Sequence, residues 1–300
     1  MKKLVYEVAP NLKLLSPHPT LAGYDDFIAS YLFCGEKKVL VDVGPTAAIP
    51  GLLAALSEAE VKPDEIDYII LTHIHMDHSG GIGMAAREMK NARVLAHSRA
   101  RRHLVDPTAL WKASRETLGE LALKYGRIDP VPENRIIAAE DGMKLDIGER
   151  LPLEIHLTPG HAPHHLCVFD RSNSVLLAGD LAGVFMDGFL RPAAPPPFLL
   201  RDFVKSVDRM IELQSAFLGY SHFGCYDHAV DRLNEVKTQT LRWYELAQMG
   251  AKSGKMPEDI IGMIGSEDNT IGKINTLNPK SYPRDYKLIL NTIRGLMAAK

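Results

Sequence analysis

The sequence predicts an α/β fold: a mixed sheet core covered by helices, followed by a helical extension. Short runs of β-branched and apolar residues recur up to residue 180, as is typical of strands. Segments with apolar residues at helical spacing lie between several of these runs, and the last third of the chain carries mainly helical spacing. Strands and helices that alternate in this way form a sheet with helices packed against it.

The first half of the chain reads as strands separated by short helices. Residues 30–44 contain two predicted strands, of which the second, 39–43, is rich in valine. A short amphipathic helix is expected at 49–60, because Pro50 stands near its start and leucines fall on one side. Residues 65–72 are apolar at both alternating sets of positions, which indicates a strand covered on both faces.

The rest of the chain continues this pattern and then becomes helical. Helices are expected at 80–90 and across an insertion of about 107–134, with a strand at 92–97 between them. Four more strands are expected at 143–148, 153–160, 165–170 and 174–180. We therefore expect one domain over residues 1–225, with a helical extension at 226–300 packed on the same domain.

Composition and charge limit the classes of partner. Hydrophobic residues make up 46% of the 300 positions and charged residues 24%, so the chain can bury a sizeable core. The formal net charge of −2 gives no overall attraction for nucleic acid or for an acidic membrane surface. We expect a small-molecule substrate and neither a nucleic-acid nor a membrane partner, and homo-oligomer formation stays open. The short basic run at 99–103, RARRH, is interpreted as a solvated helix face.

The cysteines and the first residues indicate the cellular setting. Cys34, Cys167 and Cys225 are widely spaced and odd in number, which does not suit a disulfide framework. The segment 1–15 breaks its apolar run too early for a signal peptide. No window approaches the roughly eighteen apolar residues that a membrane span needs. We expect a cytoplasmic protein in a reducing setting.

The segment ILTHIHMDHSGG, at 70–81, places four metal-ligand side chains within six positions. His73, His75 and Asp77 alternate, so on an extended backbone they would point the same way from the end of the preceding strand. His78 breaks the alternation, and the glycines that follow are typical of a turn. Zinc and similar divalent metals prefer imidazole and carboxylate donors, so we interpret the segment as one wall of a metal site.

Three further ligand-type residues stand singly in short loops or at the ends of other predicted elements. They are His161 in TPGHAPHH, Asp180 in LLAGDLAG and His222 in LGYSHFG. Each has a glycine close by, which allows the backbone to approach closely. With the first cluster they make a coherent set of seven.

This set resembles the fingerprint of the metallo-β-lactamase superfamily, H-x-H-x-D-H followed by a distant His, Asp and His. The similarity covers residues 5 to 225, and LVDVG with Asp42 matches an early strand motif of that family. The resemblance implies an αββα metallo-β-lactamase sandwich with the metal site along one edge of the two sheets. In its pattern the chain is most similar to the glyoxalase II-like branch.

The resemblance also implies two divalent metal ions, each held by three side chains and joined by an aspartate that contacts both. Zinc is the first expectation, with iron or manganese as alternatives. The implied ligands are His73, His75 and His161 for one ion, Asp77, His78 and His222 for the other, and Asp180 as the bridge. Asp42 would steady the ligand loop, and His164 and His165 would lie just outside the ligands or be structural.

The implied reaction is hydrolysis of an ester, thioester or lactone-type bond by a hydroxide shared between the two ions, with Asp77 orienting it and taking part in proton transfer. The chain has no G-x-S-x-G elbow that would supply a serine nucleophile. A phosphodiesterase and a non-catalytic binding protein are less favoured. One other reaction class stays open, because persulfide dioxygenases share the pattern but use one iron, on residues matching His73, His161 and Asp180.

The segment after the bridging aspartate contains candidate pocket residues, and two readings of it stay open. Phe185, Met186, Phe189 and Arg191 would line an apolar cleft with one anion-binding group, or would pack as an ordinary lid loop. This segment also differs from that of glyoxalase II, so glutathione specificity does not follow from the resemblance. Trp111, in the helical insertion, would overhang the same cleft or be buried in the core.

Overall fold

A computed structural model of the chain describes residues 2–19, 21–24, 26–148, 152–186, 188–274 and 282–299. Its first sheet contains seven strands in chain order: β1 (Val5–Ala9), β2 (Leu12–Leu15), β3 (Ser30–Cys34), β4 (Lys38–Val41), β5 (Ile66–Ile70), β6 (Arg93–His97) and β7 (Ile136–Ala139). Strands β1 to β4 pair antiparallel, whereas β4 to β7 pair parallel. Because parallel strands end at the same edge of a sheet, the loops after β4, β5 and β6 lie beside one another.

Eight further strands follow: β8 (Met143–Leu145), β9 (Leu153–Leu157), β10 (Leu166–Asp170), β11 (Val175–Leu177), β12 (Val184–Met186), β13 (Phe189–Arg191), β14 (Phe217–Gly219) and β15 (Cys225–Asp227). Six of them form the second sheet, in the order β15-β14-β11-β10-β9-β8, and β12 pairs with β13 as a separate hairpin. All pairs in the second sheet are antiparallel except β11 with β14.

The α-helices of the described residues cover the outer faces of the sheets and the last third of the chain. They are α1 (Ile49–Glu58), α2 (Met76–Ser79), α3 (Ile82–Glu88), α4 (Arg101–Val105), α5 (Thr108–Leu118), α6 (Glu120–Tyr125), α7 (Leu200–Glu212), α8 (Ala229–Lys252), α9 (Pro257–Glu267), α10 (Asn269–Ile274) and α11 (Tyr282–Ala298). The predicted helical insertion is thus two helices, separated at Gly119, whose φ is 59°. Among the described helices none is long and apolar enough to cross a membrane.

Alternating side chains on each strand divide the core into layers. In β4, Val39 and Val41 pack between the two sheets, whereas Leu40 faces the helices on the outer side of the first sheet. In β5, Ile70 and Ile69 divide in the same way, which explains why this strand carries apolar residues on both of its faces. The predicted αββα sandwich is confirmed.

The third core layer joins the second sheet to the C-terminal helices. It contains Leu176 and Leu218 from the sheet, Phe203 from α7, Trp243 from α8 and Ile293 from α11, all 2% exposed or less. One continuous apolar cluster therefore holds the helices after residue 225 against the sandwich. Burial of this area supplies the free energy that keeps α11 in place, since apolar burial contributes about 25 cal/mol per Å².

Candidate metal centre

The seven predicted site residues lie in segments that connect strands of the two sheets. His73 and His75 follow β5, and Asp180 follows β11. His161 lies in the loop between β9 and β10, and His222 lies between β14 and β15. Because the two sheets pack face to face, these loops meet at one shared edge, where all seven side chains converge.

The backbone of the first cluster is extended only as far as His75. That residue has φ −66° and ψ 153°, and helix α2 begins at the next position. Asp77 and His78 therefore project from a helical turn, and the prediction that Asp77 continues an extended alternation is wrong. His73 and His75 share one group of ligand-type atoms, Asp77 and His78 share another, and a third group joins His73 and His78 to Asp180.

The first group consists of His73, His75 and His161. One nitrogen from each ring lies within 4.8 Å of the other two. The closest pair is His161 Nε2 and His75 Nδ1, at 2.9 Å. Three convergent imidazoles leave room for one further ligand, as in a tetrahedral metal site with three protein donors.

The second group consists of Asp77, His78 and His222. The Asp77 oxygens lie 3.9 Å from His78 Nε2 and 3.8 Å from His222 Nε2. Asp180 stands between the two groups. Its Oδ2 lies 3.5 Å from His161 Nε2, and its Oδ1 lies 3.4 Å from Nε2 of both His78 and His222. One carboxylate thus presents an oxygen to each group.

Backbone carbonyls orient two of the imidazoles from the side away from the cluster. His161 Nδ1 donates to the Ala193 carbonyl at 2.8 Å, and His222 Nδ1 donates to the Phe27 carbonyl at 3.1 Å. A carbonyl only accepts, so Nδ1 carries the hydrogen in both rings. The Nε2 lone pairs therefore face the cluster.

Asp42 connects the loops that carry the ligands. This buried carboxylate accepts hydrogen bonds from Thr72 N at 2.8 Å, Thr72 Oγ1 at 2.7 Å, His78 Nδ1 at 3.1 Å and Ser221 Oγ at 3.2 Å. Because the Thr72 hydroxyl donates to Asp42, its oxygen is free to accept from His73 Nδ1, 3.1 Å away. One side chain after β4 thus fixes the rings of His73 and His78, the role that the resemblance implied for it.

His165 supports Asp180 rather than joining the cluster. Its Nδ1 lies 2.8 Å from Thr158 Oγ1, and its Nε2 accepts a hydrogen bond from Asp180 N at 3.2 Å. Gly179 permits this close approach, because a Cβ at that position would lie 2.5 Å from His165 Nε2. Its φ of 53° favours glycine as well. Steric contact with His165 and the positive φ therefore both explain why a glycine precedes Asp180.

The imidazoles of the cluster differ in their protonation. Burial, followed by the neighbouring His78, lowers the pKa of His73 well below its usual value. Burial and His161 lower the pKa of His75 in the same way. Burial also opposes protonation of His78, but the carboxylates of Asp180 and Asp77 outweigh it and raise the pKa of His78 well above its usual value. The rings of His73 and His75 are thus kept neutral, as metal ligands must be, and His78 holds a proton that a bound cation would displace.

The cluster leaves unsatisfied atoms that a divalent metal would satisfy. Burial disfavours the charged form of Asp180, but His78, His222 and His161 hold the pKa of this carboxyl well below its usual value. His73 Nε2, His78 Nε2 and Asp180 Oδ1 are among the buried side-chain atoms that have no hydrogen-bond partner in the described part of the chain. Each such atom costs about 1–3 kcal/mol. All of them face the same space, so this donor set fits a divalent metal ion.

The cluster lies at the floor of a cavity of about 290 Å³. Leu110 and Leu118 of α5 and Leu121 of α6 form one apolar wall, and Val184 and Leu288 contribute to the rest. The helical insertion and the C-terminal helix α11 therefore both shape the space above the cluster. Such walls favour an apolar group in whatever the cavity binds.

One of the four pocket candidates after Asp180 lines this cavity. That residue is Arg191, which lines the cavity although its side chain is only 5% exposed. Its Nη2 donates a hydrogen bond to Asp285 Oδ1 at 3.1 Å. Burial lowers the pKa of Arg191, and Asp285 opposes that effect. Phe185, Met186 and Phe189 are not among the lining residues, and Phe185 packs in an aromatic group of the third core layer.

The remaining candidates lie outside the cluster. Trp111 is half-buried among the apolar residues beside α6 and does not line the cavity, although its neighbour Leu110 does. His97, His156 and His228 have no atom in the groups described above. We therefore interpret them as structural or surface residues.

Comparison with known proteins identifies relatives of the same kind. The family described as "Metallo-beta-lactamase superfamily" matches residues 23–222. A metallo-beta-lactamase fold-containing protein of Sulfurisphaera tokodaii, ST1585, is 30% identical over 206 residues, which cover 67% of this chain and 74% of the relative. The human acyl-coenzyme A thioesterase MBLAC2 is 29% identical over 191 residues, 59% of this chain and 64% of the relative.

The solved structures agree in fold over nearly the whole length. The crystal structure of ST1585 superposes with a TM-score of 0.69 at 24% identity and covers 94% of this chain and 97% of that one. A metallo-beta-lactamase family protein from Thermus thermophilus, TTHA1429, gives the same TM-score and identity, with coverage of 97% and 93%. The similarity therefore extends to the C-terminal helices.

Proposed function

This chain belongs to the metallo-β-lactamase superfamily, and from that premise we propose that it is a metal-dependent hydrolase of an ester, thioester or lactone-type bond. One observation carries the proposal. Seven ligand-type side chains converge beside an apolar-walled cavity that five of them line, and three of their buried polar atoms have no hydrogen-bond partner. Buried polar atoms seldom stay unpaired because each one costs stability, and here three such atoms belong to one group of ligand-type side chains, His73, His78 and Asp180.

We assign the seven side chains to two metal ions. The first group of imidazoles would hold one ion, the second group would hold the other, and Asp180 would contact both, as its distances to the two groups suggest. Imidazole and carboxylate donors in these numbers suit zinc, with iron or manganese as alternatives. A single ion on His73, His161 and Asp180 would leave the second group without a role.

The metal pair would supply Lewis-acid chemistry, which lowers the pKa of a solvent molecule and polarises a carbonyl. Asp77 is placed to orient that solvent molecule and to accept its proton, because its carboxylate lines the cavity and is half-buried. The apolar walls would exclude other water from the acyl group. No serine or cysteine nucleophile is needed in this scheme.

Among the three bond types we favour the thioester. The apolar wall formed by α5 and α6 suits an acyl chain, and the human relative is named an acyl-coenzyme A thioesterase. The aspartate between the two groups also separates this chain from true β-lactam hydrolases, which lack an aspartate in that role. We propose a small-molecule substrate accordingly.

We expect the zinc-loaded protein to hydrolyse acyl thioesters with at least about tenfold higher kcat/KM than lactones, aryl esters or phosphodiesters, since only a few contacts need to differ for about 1.4 kcal/mol of discrimination. A panel of these four substrate classes measures this. The metal-depleted protein and the same protein with zinc restored are the controls. Preferred cleavage of phosphodiesters, or equal turnover without metal, would contradict the proposal.

Removal of the metal is expected to lower the melting temperature. An ion present at about 100 times its dissociation constant contributes about 2.7 kcal/mol to the native state. With an unfolding entropy of about 2.1 cal/mol/K per residue, a chain of this length would lose roughly 4 °C for each site that is emptied. Calorimetry with and without a chelator tests this.

Metal analysis of protein from its native host tests how many ions each chain binds. One iron per chain would favour the dioxygenase over the hydrolase.

A further inference from the structure

We propose that a basic cavity beside the metal centre binds the phosphate-bearing leaving group of an acyl thioester, a thiol carrier of the coenzyme A type. The inference rests on the proposed thioester hydrolysis and names the substrate class of that site. It also assigns a function to the basic run at 99–103, which the sequence alone had suggested to be a solvated helix face.

The fold places this basic run next to the metal ligands. Strands β5 and β6 are parallel neighbours, so the segments that follow them leave the sheet at the same edge. The segment after β5 carries His73 and His75. The segment after β6, a short 3₁₀ turn at Ser98–Ala100 followed by α4, carries Arg99 and Arg102. Two strands thus deliver ligands and cations to adjacent positions.

The two cavities share one side chain. Arg99, Arg102 and His103 line the basic cavity on one side, and Pro163 and His164 line it on the other. His164 also lines the cavity above the metal cluster. The imidazole of His164 therefore stands between the basic cavity and the cavity above the cluster.

Two distances show how close the two sites are. The ring centre of His164 lies 5.9 Å from that of His75, which belongs to the first group. Arg99 Nη1 donates to the Pro163 carbonyl at 3.3 Å, so the two walls of the basic cavity touch. A molecule bound at the metal cluster would reach the arginines by passing His164.

The charges of the basic cavity are only partly compensated. Glu133 lines the cavity and pairs with Arg101 at 3.2 Å. In the part of the chain that the structure describes, no carboxylate forms an ion pair with Arg99 or Arg102. Guanidinium groups bind phosphate through two parallel hydrogen bonds. The chain as a whole carries −2, so this excess of positive charge is a local feature.

The opposite side of the cavity above the cluster is apolar. The two halves of a thioester substrate would therefore bind on different sides of the cluster. The acyl chain would lie against Leu118 and Leu121, and the carrier would lie toward Arg99 and Arg102. The scissile carbonyl would then stand above the cluster. Water adds its oxygen to the acyl carbon, the carbon–sulfur bond breaks, and the thiol and the carboxylate leave with one proton released to solvent.

Binding of free coenzyme A tests the inference without turnover. By calorimetry on the metal-loaded protein, we expect coenzyme A to bind at least about tenfold more tightly than pantetheine, which has the same thiol arm without the phosphates. The Arg99→Ala/Arg102→Ala variant is expected to lose this difference. Both side chains are exposed, so the variant should fold. Dephospho-coenzyme A shows whether the diphosphate or the 3′-phosphate makes the contact.

Hydrolysis supplies a second measurement. The ratio of kcat/KM for octanoyl-coenzyme A to that for octanoyl-pantetheine is expected to fall about tenfold in the double variant and to fall with added salt in the original protein. Arg201→Ala is the matched control, because Arg201 is an exposed arginine that lines neither cavity. This control is expected to keep the ratio.

The outcomes separate the two proposals. Equal binding of coenzyme A and pantetheine, or unchanged coenzyme A binding in the double variant, would overturn the inference and leave thioester hydrolysis standing. Binding of a single-stranded oligonucleotide through the same arginines, with no binding of coenzyme A, would overturn it as well. Arginine-dependent coenzyme A binding without thioester cleavage would overturn the proposed reaction and support the carrier site.

Discussion

Replacement of Asp180 by asparagine is expected to lower hydrolysis about 10³-fold or more, which is about 4 kcal/mol of transition-state stabilisation. The substitution keeps the size of the side chain and removes its charge. Asp180 is ionised in the native protein, because three imidazoles hold the pKa of its carboxyl well below the usual value against the effect of burial. An amide cannot present one anionic oxygen to each group.

The same variant is expected to bind one metal ion per chain or none. Asp180 Oδ2 faces the first group, and Oδ1 faces the second at 3.4 Å from two imidazoles. Loss of the carboxylate therefore weakens metal binding at both groups. The first group is affected more, because only its three imidazoles remain as donors. Elemental analysis after dialysis measures the metal content.

Asp170→Asn is the matched control for this experiment. Asp170 is 4% exposed, compared with 5% for Asp180, and it accepts hydrogen bonds from the backbone of its own turn far from the cluster. We expect this control to lose some stability and to keep its metal. Two tightly held ions and full activity in Asp180→Asn would refute the bridging role.

The parts of the site that follow from local sequence could be predicted. Three histidines and an aspartate within six positions are unusual by chance, and strand ends with glycines locate His161 and Asp180. The direction in which the Asp77 side chain points could not be predicted from the local sequence. Whether the chain stays extended or enters a helical turn after His75 depends on the packing of α2 against the rest of the site, and the alternation of residue types is the same in both cases.

The walls of the cavity depend on contacts between distant parts of the chain. Leu288, Asn291 and Thr292 lie on one face of α11 and line the cavity. In sequence they are ordinary positions of an amphipathic helix, with nothing to distinguish a cavity wall from a core. Strands β12 and β14 are not among the predicted strands, because three residues by themselves carry too little periodicity. Strands β8 and β11 are equally short but lie within the longer strands predicted at 143–148 and 174–180.

Replacement of Asp285 by alanine is expected to destabilise the fold by about 3–5 kcal/mol, because it removes the carboxylate that pairs with two buried cations. Arg191, Arg284 and Asp285 are each 5% exposed or less. The Asp285 carboxylate accepts from Arg191 Nη2 at 3.1 Å and from Arg284 Nη2 at 2.9 Å. With an unfolding entropy of about 2.1 cal/mol/K per residue, this loss should lower the melting temperature by roughly 5–8 °C.

This effect should reach the second metal group, because the network touches one of its histidines through an aromatic ring. The Arg284 guanidinium lies over the Phe27 ring at 4.1 Å, and that ring stacks on His222 at 4.2 Å. The Phe27 carbonyl also accepts the hydrogen bond that orients His222. We therefore expect Asp285→Ala to weaken one metal position more than the other, as measured by stepwise release to a chelator.

An exposed ion pair between the C-terminal helices is the control that distinguishes the effect of burial from the effect of charge. Arg294 of α11 lies 3.8 Å from Glu258 of α9, with both side chains about half exposed. Glu258→Ala is expected to cost less than about 1 kcal/mol, because solvent screens such a pair. If Asp285→Ala costs no more than this control, the buried network does not hold α11 to the metal site. A larger cost with selective loss of one ion means that the helices after residue 225 are part of the metal centre's support.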